Sequence, residues 1–241
     1  MILEIDAGNT FVKWRLLNHL DVVKRGRFLT EQLNRSIPVE WQAPVTEIRV
    51  ASVAGKDVNQ QIGSVLSGYH AIEIQFAQTT YVCAGVKNSY AQAERMGVDR
   101  WLAMLAAYNN VKRACCVVDC GSAITIDFID AAGEHQGGYI LPGLRLMKQG
   151  LLSNTAEIQV DRSMSSFDLE PGRDTSAAVD HGINYLFLSL VEKVARDINT
   201  PMESYQLFVT GGDGQLFASL VEGAEYFSDL VLDGLAWSLS P

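Results

Sequence analysis

Two short turns carry the residue types that chemistry on phosphate requires. Asp6-Ala7-Gly8-Asn9-Thr10 and Asp119-Cys120-Gly121-Ser122-Ala123 both read Asp-x-Gly, then Asn or Ser, then a small residue, and they lie 113 positions apart. A glycine in a tight turn lets the backbone approach a ligand closely, and the neighbouring amides can point at phosphate oxygens. The two carboxylates repel phosphate, so they fit such a site when a cation such as Mg²⁺ lies between.

One such turn alone has a plain explanation, because Asp and Gly are ordinary hairpin residues. The matched second copy favours phosphate-binding loops. Lys13 follows the first turn and could supply positive charge to a transferring phosphoryl group. The motifs GxxxxGK[ST], GxGxxG and GxSxG are absent from the sequence, so the P-loop, Rossmann and hydrolase-elbow interpretations lack their signatures.

Hydrophobic periodicity predicts that each turn joins two strands. The first half reads strand, strand, strand, helix, strand and helix, at 2–5, 11–17, 45–53, 57–66, 71–76 and around 101–108. The second half restarts with strands at 115–118, 124–129 and 138–141, then a helix at 174–198, a strand at 207–210 and a helix at 215–221. This repetition predicts two half-domains whose turns face each other across a cleft.

The long helix is predicted from six apolar residues at near-helical spacing, namely Val179, Ile183, Leu186, Leu190, Val194 and Ile198. Asp174 or Thr175 is expected to cap it. Gly182 lies inside it at a cost of about 1 kcal/mol relative to alanine, and a close helix approach, as at a dimer interface, would explain that glycine.

Composition bounds the class of protein. The 241 residues carry 19 basic and 28 acidic side chains, a net charge of -9, which argues against binding nucleic acid or anionic membrane. The longest apolar run, Leu102–Tyr108, is far too short to span a bilayer. The opening residues carry Glu4 and Asp6 and no basic segment, so we expect no signal peptide here and a cytoplasmic protein.

Cysteine and histidine spacing gives no metal signature. The four cysteines include no CxxC pair, and three of them fall in one predicted buried strand, which favours reduced core thiols over a zinc site. The four histidines are scattered without HExxH spacing, so each is expected to be structural or to face solvent.

Further motifs give the sequence a family resemblance. They are Gly97-Val98-Asp99-Arg100 followed by Trp101, DCGSAIT at 119–125, GGYILPG at 137–143 and TGGDG at 210–214. Together with the opening strand-DxGNT-strand, the sequence resembles type III pantothenate kinase over nearly its whole length. That family belongs to the acetate and sugar kinase, heat-shock and actin superfamily. The resemblance implies an α/β fold of two duplicated ribonuclease-H-like (actin-like ATPase) domains, 1–112 and 113–241, flanking a nucleotide cleft.

The resemblance also implies residue roles. The first phosphate loop for ATP would comprise Asp6, Ala7, Gly8, Asn9, Thr10, Phe11, Val12 and Lys13, with Ser122 at the position of an ATP-contacting threonine and Gly211 and Gly212 at the adenosine-side turn. Asp119 matches a monovalent-cation ligand. Pantothenate would contact Tyr90, Gly97, Val98, Asp99, Arg100 and Thr175, and Asp99 would be the general base.

The chemistry agrees with these roles. Phosphoryl transfer passes through a loose transition state, so the base need only orient the hydroxyl and accept its proton late. A helix N-terminus near Asp99 would favour its ionised carboxylate. The plainer alternatives are that Asp99 and Thr175 are helix caps, that Arg100 is solvent-exposed or in a salt bridge, and that Tyr90 is an amphipathic wall residue.

Two positions depart from the family pattern. Ser122 keeps a hydroxyl where threonine is usual, and Asp233 stands where glutamate is common. The expected partners are pantothenate and ATP, with Mg²⁺, a monovalent cation (K⁺ or NH₄⁺) and a second copy of the chain as a homodimer.

The expected reaction is ATP-dependent phosphorylation of pantothenate to 4'-phosphopantothenate, the first step of coenzyme A biosynthesis. One alternative is a phosphotransferase acting on a sugar or acetate; those kinases do not share Gly97–Arg100 together with Tyr90. Another is a non-catalytic regulator, since relatives include Bvg accessory factors linked to transcription. The three acids Asp6, Asp99 and Asp119 and the net charge of -9 disfavour a regulator.

Overall fold

The computed structural model describes residues 1–33, 35, 37–154, 167–199 and 204–239. The chain divides into two compact units. The first comprises Met1–Lys112, Ala131–Gly137 and Asp229–Pro241, and the second comprises Arg113–Asp130 and Gly138–Ser228.

The first unit is built on a mixed sheet. Its strands lie in the order β3-β2-β1-β4-β5, with β1 parallel to β4 and antiparallel to β2. The elements are β1 (Ile2–Ala7), β2 (Phe11–Asn18), β3 (Asp21–Leu29), β4 (Glu47–Ser52), α1 (Lys56–Ser67), β5 (Ile74–Phe76), the hairpin β6 (Val82–Cys83) and β7 (Val86–Lys87), α2 (Val98–Val111), and α6 (Leu230–Leu239), with 3₁₀ turns at Thr30–Gln32, Val39–Gln42 and Ala93–Arg95.

The second unit repeats this plan. Its sheet has the order β10-β9-β8-β11-β12, with β8 antiparallel to β9 and parallel to β11. The elements are β8 (Cys115–Cys120), β9 (Ala123–Ile129), β10 (His135–Pro142), α3 (Leu144–Asn154), α4 (Thr175–Asp197), β11 (Gln206–Thr210), α5 (Gly214–Ser219) and β12 (Glu225–Tyr226). The start of β10, up to Gly137, belongs to the first unit. In each sheet the central strand pairs with an antiparallel neighbour on one side and with a parallel neighbour on the other, and that parallel neighbour pairs with a parallel edge strand. The predicted duplicated α/β architecture is confirmed.

The first sheet presents two chemically different faces. Leu3 and Ile5 of β1 point into an apolar core with Trp14 and Val50. On the opposite face Glu4 is fully buried, and it accepts from Arg15 Nε at 2.7 Å. This alternation is the period-2 pattern of a strand covered on both sides.

The buried charges on that face link the sheet to α6. Arg15 Nη1 donates to Asp233 Oδ1 at 2.6 Å, and Arg49 Nη1 donates to Glu4 Oε1 at 3.4 Å. Asp233, the position where the family usually has glutamate, is therefore an ion-pair partner of a strand residue.

In the second unit, α4 buries one face against β8 and α5. Its buried stripe is Val179, Ile183, Phe187, Val191 and Val194. The predicted stripe was wrong at Leu186, which is 59% exposed. The helical period that starts at Val179 and Ile183 passes through Phe187 instead. Among the described residues, no helix is long and apolar enough to cross a membrane.

Candidate active site

The Gly97–Arg100 motif lies at the start of α2. Gly97 is the residue before the helix, and Asp99 lies in its first turn. Asp99 Oδ1 accepts from the backbone N–H of Arg100 at 2.8 Å. The carboxylate is therefore held at the helix N-terminus, where unsatisfied helix amides point outward. Because α2 is buried almost throughout, the backbone that carries this carboxylate is held in place by packing.

Arg100 is a buried cation with a defined partner. It is 6% exposed, and its Nη1 donates to the Tyr90 hydroxyl at 2.9 Å. Its guanidinium carbon also lies 5.7 Å from the centre of the Tyr90 ring. The interpretation of Arg100 as a solvent-exposed side chain is wrong, because the residue is buried.

Sequence reasoning missed Asn88. Its side chain is buried, its Oδ1 accepts from the backbone N–H of Tyr90 at 2.9 Å, and its Nδ2 lies 3.6 Å from Met96 Sδ. An asparagine that bonds the backbone two residues on is a local turn device. Its position two residues before Tyr90 was the available signal.

The first DxGNT turn joins β1 to β2 and is clamped from β3. Gly8 N–H donates to Phe11 O at 3.0 Å, which closes the turn. Thr30 Oγ1 donates to Gly8 O at 2.8 Å, and Thr30 N–H donates to Thr10 O at 3.0 Å. Thr30 was missed because it follows β3, a strand that the sequence pattern did not predict.

Within this loop the side chains divide by environment. Ala7 and Val12 are buried in the apolar core, whereas Asn9 and Phe11 are exposed. Asp6 is paired across the sheet with Lys13. Any ligand contact by Ala7 or Val12 must therefore use backbone atoms.

The DxGNT turn and the Gly97–Arg100 motif share a neighbour in the first unit. Val53, just after β4, donates its N–H to Ala7 O at 3.0 Å. A Cβ placed on Gly97 would lie 3.9 Å from Val53 Cγ1. Because β1 and β4 are parallel, their carboxyl ends meet at one sheet edge, and the start of α2 lies against that edge.

In the second unit, three motifs that are separated in sequence converge. Gly121 N–H donates to Ala123 O at 3.0 Å, Gly143 N–H donates to Ser122 O at 3.0 Å, and Asp213 N–H donates to Cys120 O at 2.9 Å. A side chain on Gly143 would overlap the carbonyl oxygens of residues 121 and 122. DCGSA, GGYILPG and TGGDG thus form one loop cluster.

Gly211 brings the backbone close to Asp119. A side chain on Gly211 would overlap the Asp119 carboxylate, and its φ of +91° favours glycine in any case. Half-buried Asp213 lies in the same cluster, and burial raises its pKa. In the described ranges, no group of three or more His, Cys, Asp or Glu side chains forms a metal site.

Thr175 and Gly182 lie on α4 in the second unit. Asp174 caps that helix, its Oδ1 accepting from Ala177 N–H at 2.9 Å, so Thr175 is the first helical residue and is not the cap. Thr175 is exposed. A Cβ on Gly182 would meet nothing within 4 Å, so packing among the described residues does not account for this glycine.

Comparison with known proteins agrees with these motifs. A family model described as type III pantothenate kinase matches residues 2–197. Proteins of that description from Pseudomonas syringae pv. syringae (strain B728a) and Ectopseudomonas mendocina (strain ymp) are 38% identical over 250 residues and 37% identical over 247 residues. In both cases 98% of this chain and 98% of the relative are covered.

Solved structures share the fold at low sequence identity. A conserved Baf family transcriptional activator from Campylobacter jejuni gives a TM-score of 0.62 at 22% identity, covering 96% of this chain and 94% of that chain. A protein described as a 2-dehydro-3-deoxygalactonokinase, from Sinorhizobium meliloti, gives 0.58 at 12% identity and covers 100% of both chains. The two duplicated units therefore have the actin-like ATPase and sugar-kinase fold. By the family model and its full-length relatives, the chain belongs to the type III pantothenate kinase family.

Proposed function

We propose that the chain transfers the γ-phosphoryl group of ATP to the primary alcohol of pantothenate, giving 4'-phosphopantothenate and ADP, the first step of coenzyme A biosynthesis. Family membership supports this proposal. The observation that carries it is the shared neighbour Val53, which joins the DxGNT turn to the Gly97–Arg100 motif in one unit. A phosphate loop and an acceptor-side carboxylate are the two parts that phosphoryl transfer needs close together.

Asp99 is the general base of the proposed reaction. A bond forms between the alcohol oxygen and the γ-phosphorus while the bond from that phosphorus to the bridging oxygen of ADP breaks. The alcohol proton passes to the Asp99 carboxylate late in the step, because the transition state is loose. The rigid helix beneath Asp99 keeps the carboxylate oriented toward the hydroxyl.

Arg100 and Tyr90 hold the acceptor. Pantothenate carries a carboxylate, and a buried guanidinium that already donates to a phenol is a pre-organised donor for an anion or a polar oxygen. The proposed contacts also include the Gly97 and Val98 backbone and the exposed Thr175 hydroxyl.

ATP is bound by the loop from Asp6 to Lys13 and by Ser122, with the Gly211-Gly212 turn on the adenosine side. In each duplicated turn a glycine N–H closes the turn, leaving neighbouring polar side chains for the ligand. Ser122 keeps the hydroxyl of the usual threonine but lacks its methyl group.

A cation completes the phosphate site. The Asp119 carboxylate lies against the Gly211 backbone, and carboxylate oxygens are ligands that suit a hard cation. We assign Asp119 to a monovalent cation, K⁺ or NH₄⁺. Mg²⁺ would supply charge neutralisation at the phosphates and would take most of its ligands from phosphate and water.

Three wider properties complete the proposal. We place the duplication boundary near residue 112, where the strand order restarts at β8, which gives sequence domains 1–112 and 113–241. The compact units follow this boundary except at Ala131–Gly137 and Asp229–Pro241, which belong to the first unit. The chain forms a homodimer. Because the reaction consumes ATP, we expect the protein to work in the cytoplasm.

A coupled ADP-release assay with ATP, Mg²⁺ and K⁺ tests the function, with pantothenate compared against a panel of sugars and acetate. We expect ADP release with pantothenate and none with the sugars or acetate. Activity on a sugar and none on pantothenate would overturn the proposal. Repeating the assay with Na⁺ as the sole monovalent cation tests Asp119, and equal rates would refute the monovalent site.

A further inference from the structure

A buried histidine outside the predicted site lies against the substrate-side tyrosine. His135 is 3% exposed, and its ring centre lies 6.2 Å from that of Tyr90, with the planes inclined by 31°. Its Nδ1 is hydrogen-bonded to Ser89 Oγ at 2.9 Å. Tyr90 is in turn bonded to the buried Arg100, as described above. These contacts form a continuous chain from Ser89 through His135 and Tyr90 to Arg100.

Tyr90 depends on side chains for its position. It lies in a stretch between β7 and the 3₁₀ turn at Ala93 that has no regular secondary structure, so no ladder of backbone bonds fixes its ring. Its backbone is held by Asn88, its hydroxyl by Arg100, and one wall of its ring by His135. The Arg100 guanidinium lies over the Tyr90 ring and the His135 ring lies beside it, so these two side chains restrict sideways movement of the Tyr90 ring.

His135 itself is fixed by the backbone around it. It begins β10 and follows a turn whose Gly133 O accepts from Lys87 N–H at 2.9 Å. Lys87 Nζ also pairs with Glu134 at 3.0 Å, and Tyr108 OH donates to Ala131 O at 3.3 Å. A ring anchored in this way can transmit its position to Tyr90.

We propose that His135, oriented by Ser89, is a positioning residue for acceptor binding: it holds the Tyr90 ring so that Arg100 presents one guanidinium geometry to pantothenate. This inference rests on the proposed function of the same site. His135 makes no proton transfer in this scheme and acts only through Tyr90. Its loss therefore weakens acceptor binding and leaves ATP binding unchanged.

Steady-state kinetics of His135→Ala, Tyr90→Ala and the double variant test the inference. His135→Ala is expected to raise the KM for pantothenate by roughly tenfold, because losing the ring contact with Tyr90 and the hydrogen bond to Ser89 should weaken acceptor binding by about that factor. The KM for ATP and kcat should stay within about twofold of wild type. Because His135 acts through Tyr90, the KM for pantothenate of the double variant should be no higher than that of Tyr90→Ala alone.

Matched variants separate positioning from general damage. His135→Phe keeps a ring against Tyr90 and loses the bond to Ser89, so its KM for pantothenate should lie between those of wild type and His135→Ala. His70→Ala removes a histidine that instead bonds Trp41 O at 2.6 Å, and it should leave both KM values unchanged. Ser89→Ala, at an exposed position, gives the same cycle with Tyr90→Ala if His135→Ala does not fold.

The outcomes distinguish the two proposals. A wild-type protein that does not phosphorylate pantothenate refutes the proposed function. If the wild type is active, two results refute the positioning role alone. One is an unchanged KM for pantothenate in His135→Ala. The other is a double variant in which the effects of His135→Ala and Tyr90→Ala on this KM multiply independently. A Ser89→Ala variant that folds and shows no coupling to Tyr90→Ala refutes it equally.

Discussion

Asp99 combines two duties at one residue, since its carboxylate both accepts from a helix N–H and is the proposed base. Asp99→Asn keeps an oxygen that can accept that N–H, so the fold and the affinity for ATP should be retained. Turnover should fall by roughly 10²–10⁴-fold, the usual contribution of a positioned base. The measurements are kcat, nucleotide binding and the melting temperature.

Asp57→Asn is the matched control, because Asp57 is an exposed acid in the first turn of α1. It should leave turnover unchanged. Activity of Asp99→Asn within about threefold of wild type would remove Asp99 from the role of general base.

Arg15 joins a fully buried glutamate to the last helix of the first unit. Arg15→Met leaves Glu4 buried with only the longer contact to Arg49 at 3.4 Å, so the free energy of unfolding should fall by about 3–5 kcal/mol. Lys24→Met breaks the exposed pair with Glu40 and should cost under about 1 kcal/mol. Urea unfolding of both variants makes the comparison, and equal losses would show that burial of Glu4 does not matter.

At the level of elements, α6 packs against α2 through a glycine. A Cβ on Gly234 would collide with the Leu102 carbonyl, so Gly234→Ala should destabilise the protein by about 1–3 kcal/mol. Gly63 lies inside α1 with nothing within 4 Å, so Gly63→Ala should stabilise by up to about 1 kcal/mol. The melting temperature should therefore fall in Gly234→Ala and rise in Gly63→Ala. An unchanged melting temperature in Gly234→Ala would contradict the close contact between α6 and α2.

Strand β8 carries three buried thiols, and their titration lowers the free energy of unfolding at alkaline pH. Burial raises the pKa of Cys115 from its ordinary value of 9.0 to about 12, and it raises the pKa of Cys116 and of Cys120 as well. Because the unfolded chain releases these protons first, the stabilisation is complete below about pH 9 and is lost as the pH rises toward the folded values.

Urea unfolding at about pH 8 and about pH 10 checks this effect. Between these two pH values the free energy of unfolding of the wild type should fall by roughly 1 kcal/mol per buried thiol more than that of a variant with alanine at all three positions. The comparison with this variant cancels the titration of other groups. Equal pH dependence in the two proteins would show that the thiols do not contribute.

The elements that the sequence predicted are those with strong local patterns. Ile2–Ile5, Cys115–Val118 and the helix after Asp174 are each specified by apolar runs or periodicity, and the structure confirms them. Strand β3 was missed because it lies at the sheet edge with Lys24 and Arg25 exposed, so it has no apolar face to read. The helices α3 and α6 were missed too.

The same limit applies to the candidate site. The motif glycines and Asp99 could be identified from sequence, because their spacing is local. Thr30 and His135 could not, since each acts through a partner that only the fold brings near: the β1–β2 turn and the Tyr90 ring. Partners of this kind leave no spacing signal in one sequence.

At the scale of the whole molecule, the main open property is the homodimer. Packing within the part of the chain that the structure describes does not explain Gly182, and Tyr185 and Leu186 beside it are 66% and 59% exposed. A second copy would cover such a surface. Light scattering at micromolar concentration should give about twice 26.4 kDa, and a mass near 26.4 kDa would refute the dimer.

The first compact unit is discontinuous along the chain, since it takes Ala131–Gly137 and Asp229–Pro241 from beyond the midpoint. Ribosomes add roughly 5–20 residues per second and release the N-terminal end first. The nascent first half therefore emerges without its final helix and without the turn that carries His135, and it must wait for both. Final closure of this unit is consequently a late event of synthesis, and separately expressed halves of the chain would each lack part of it.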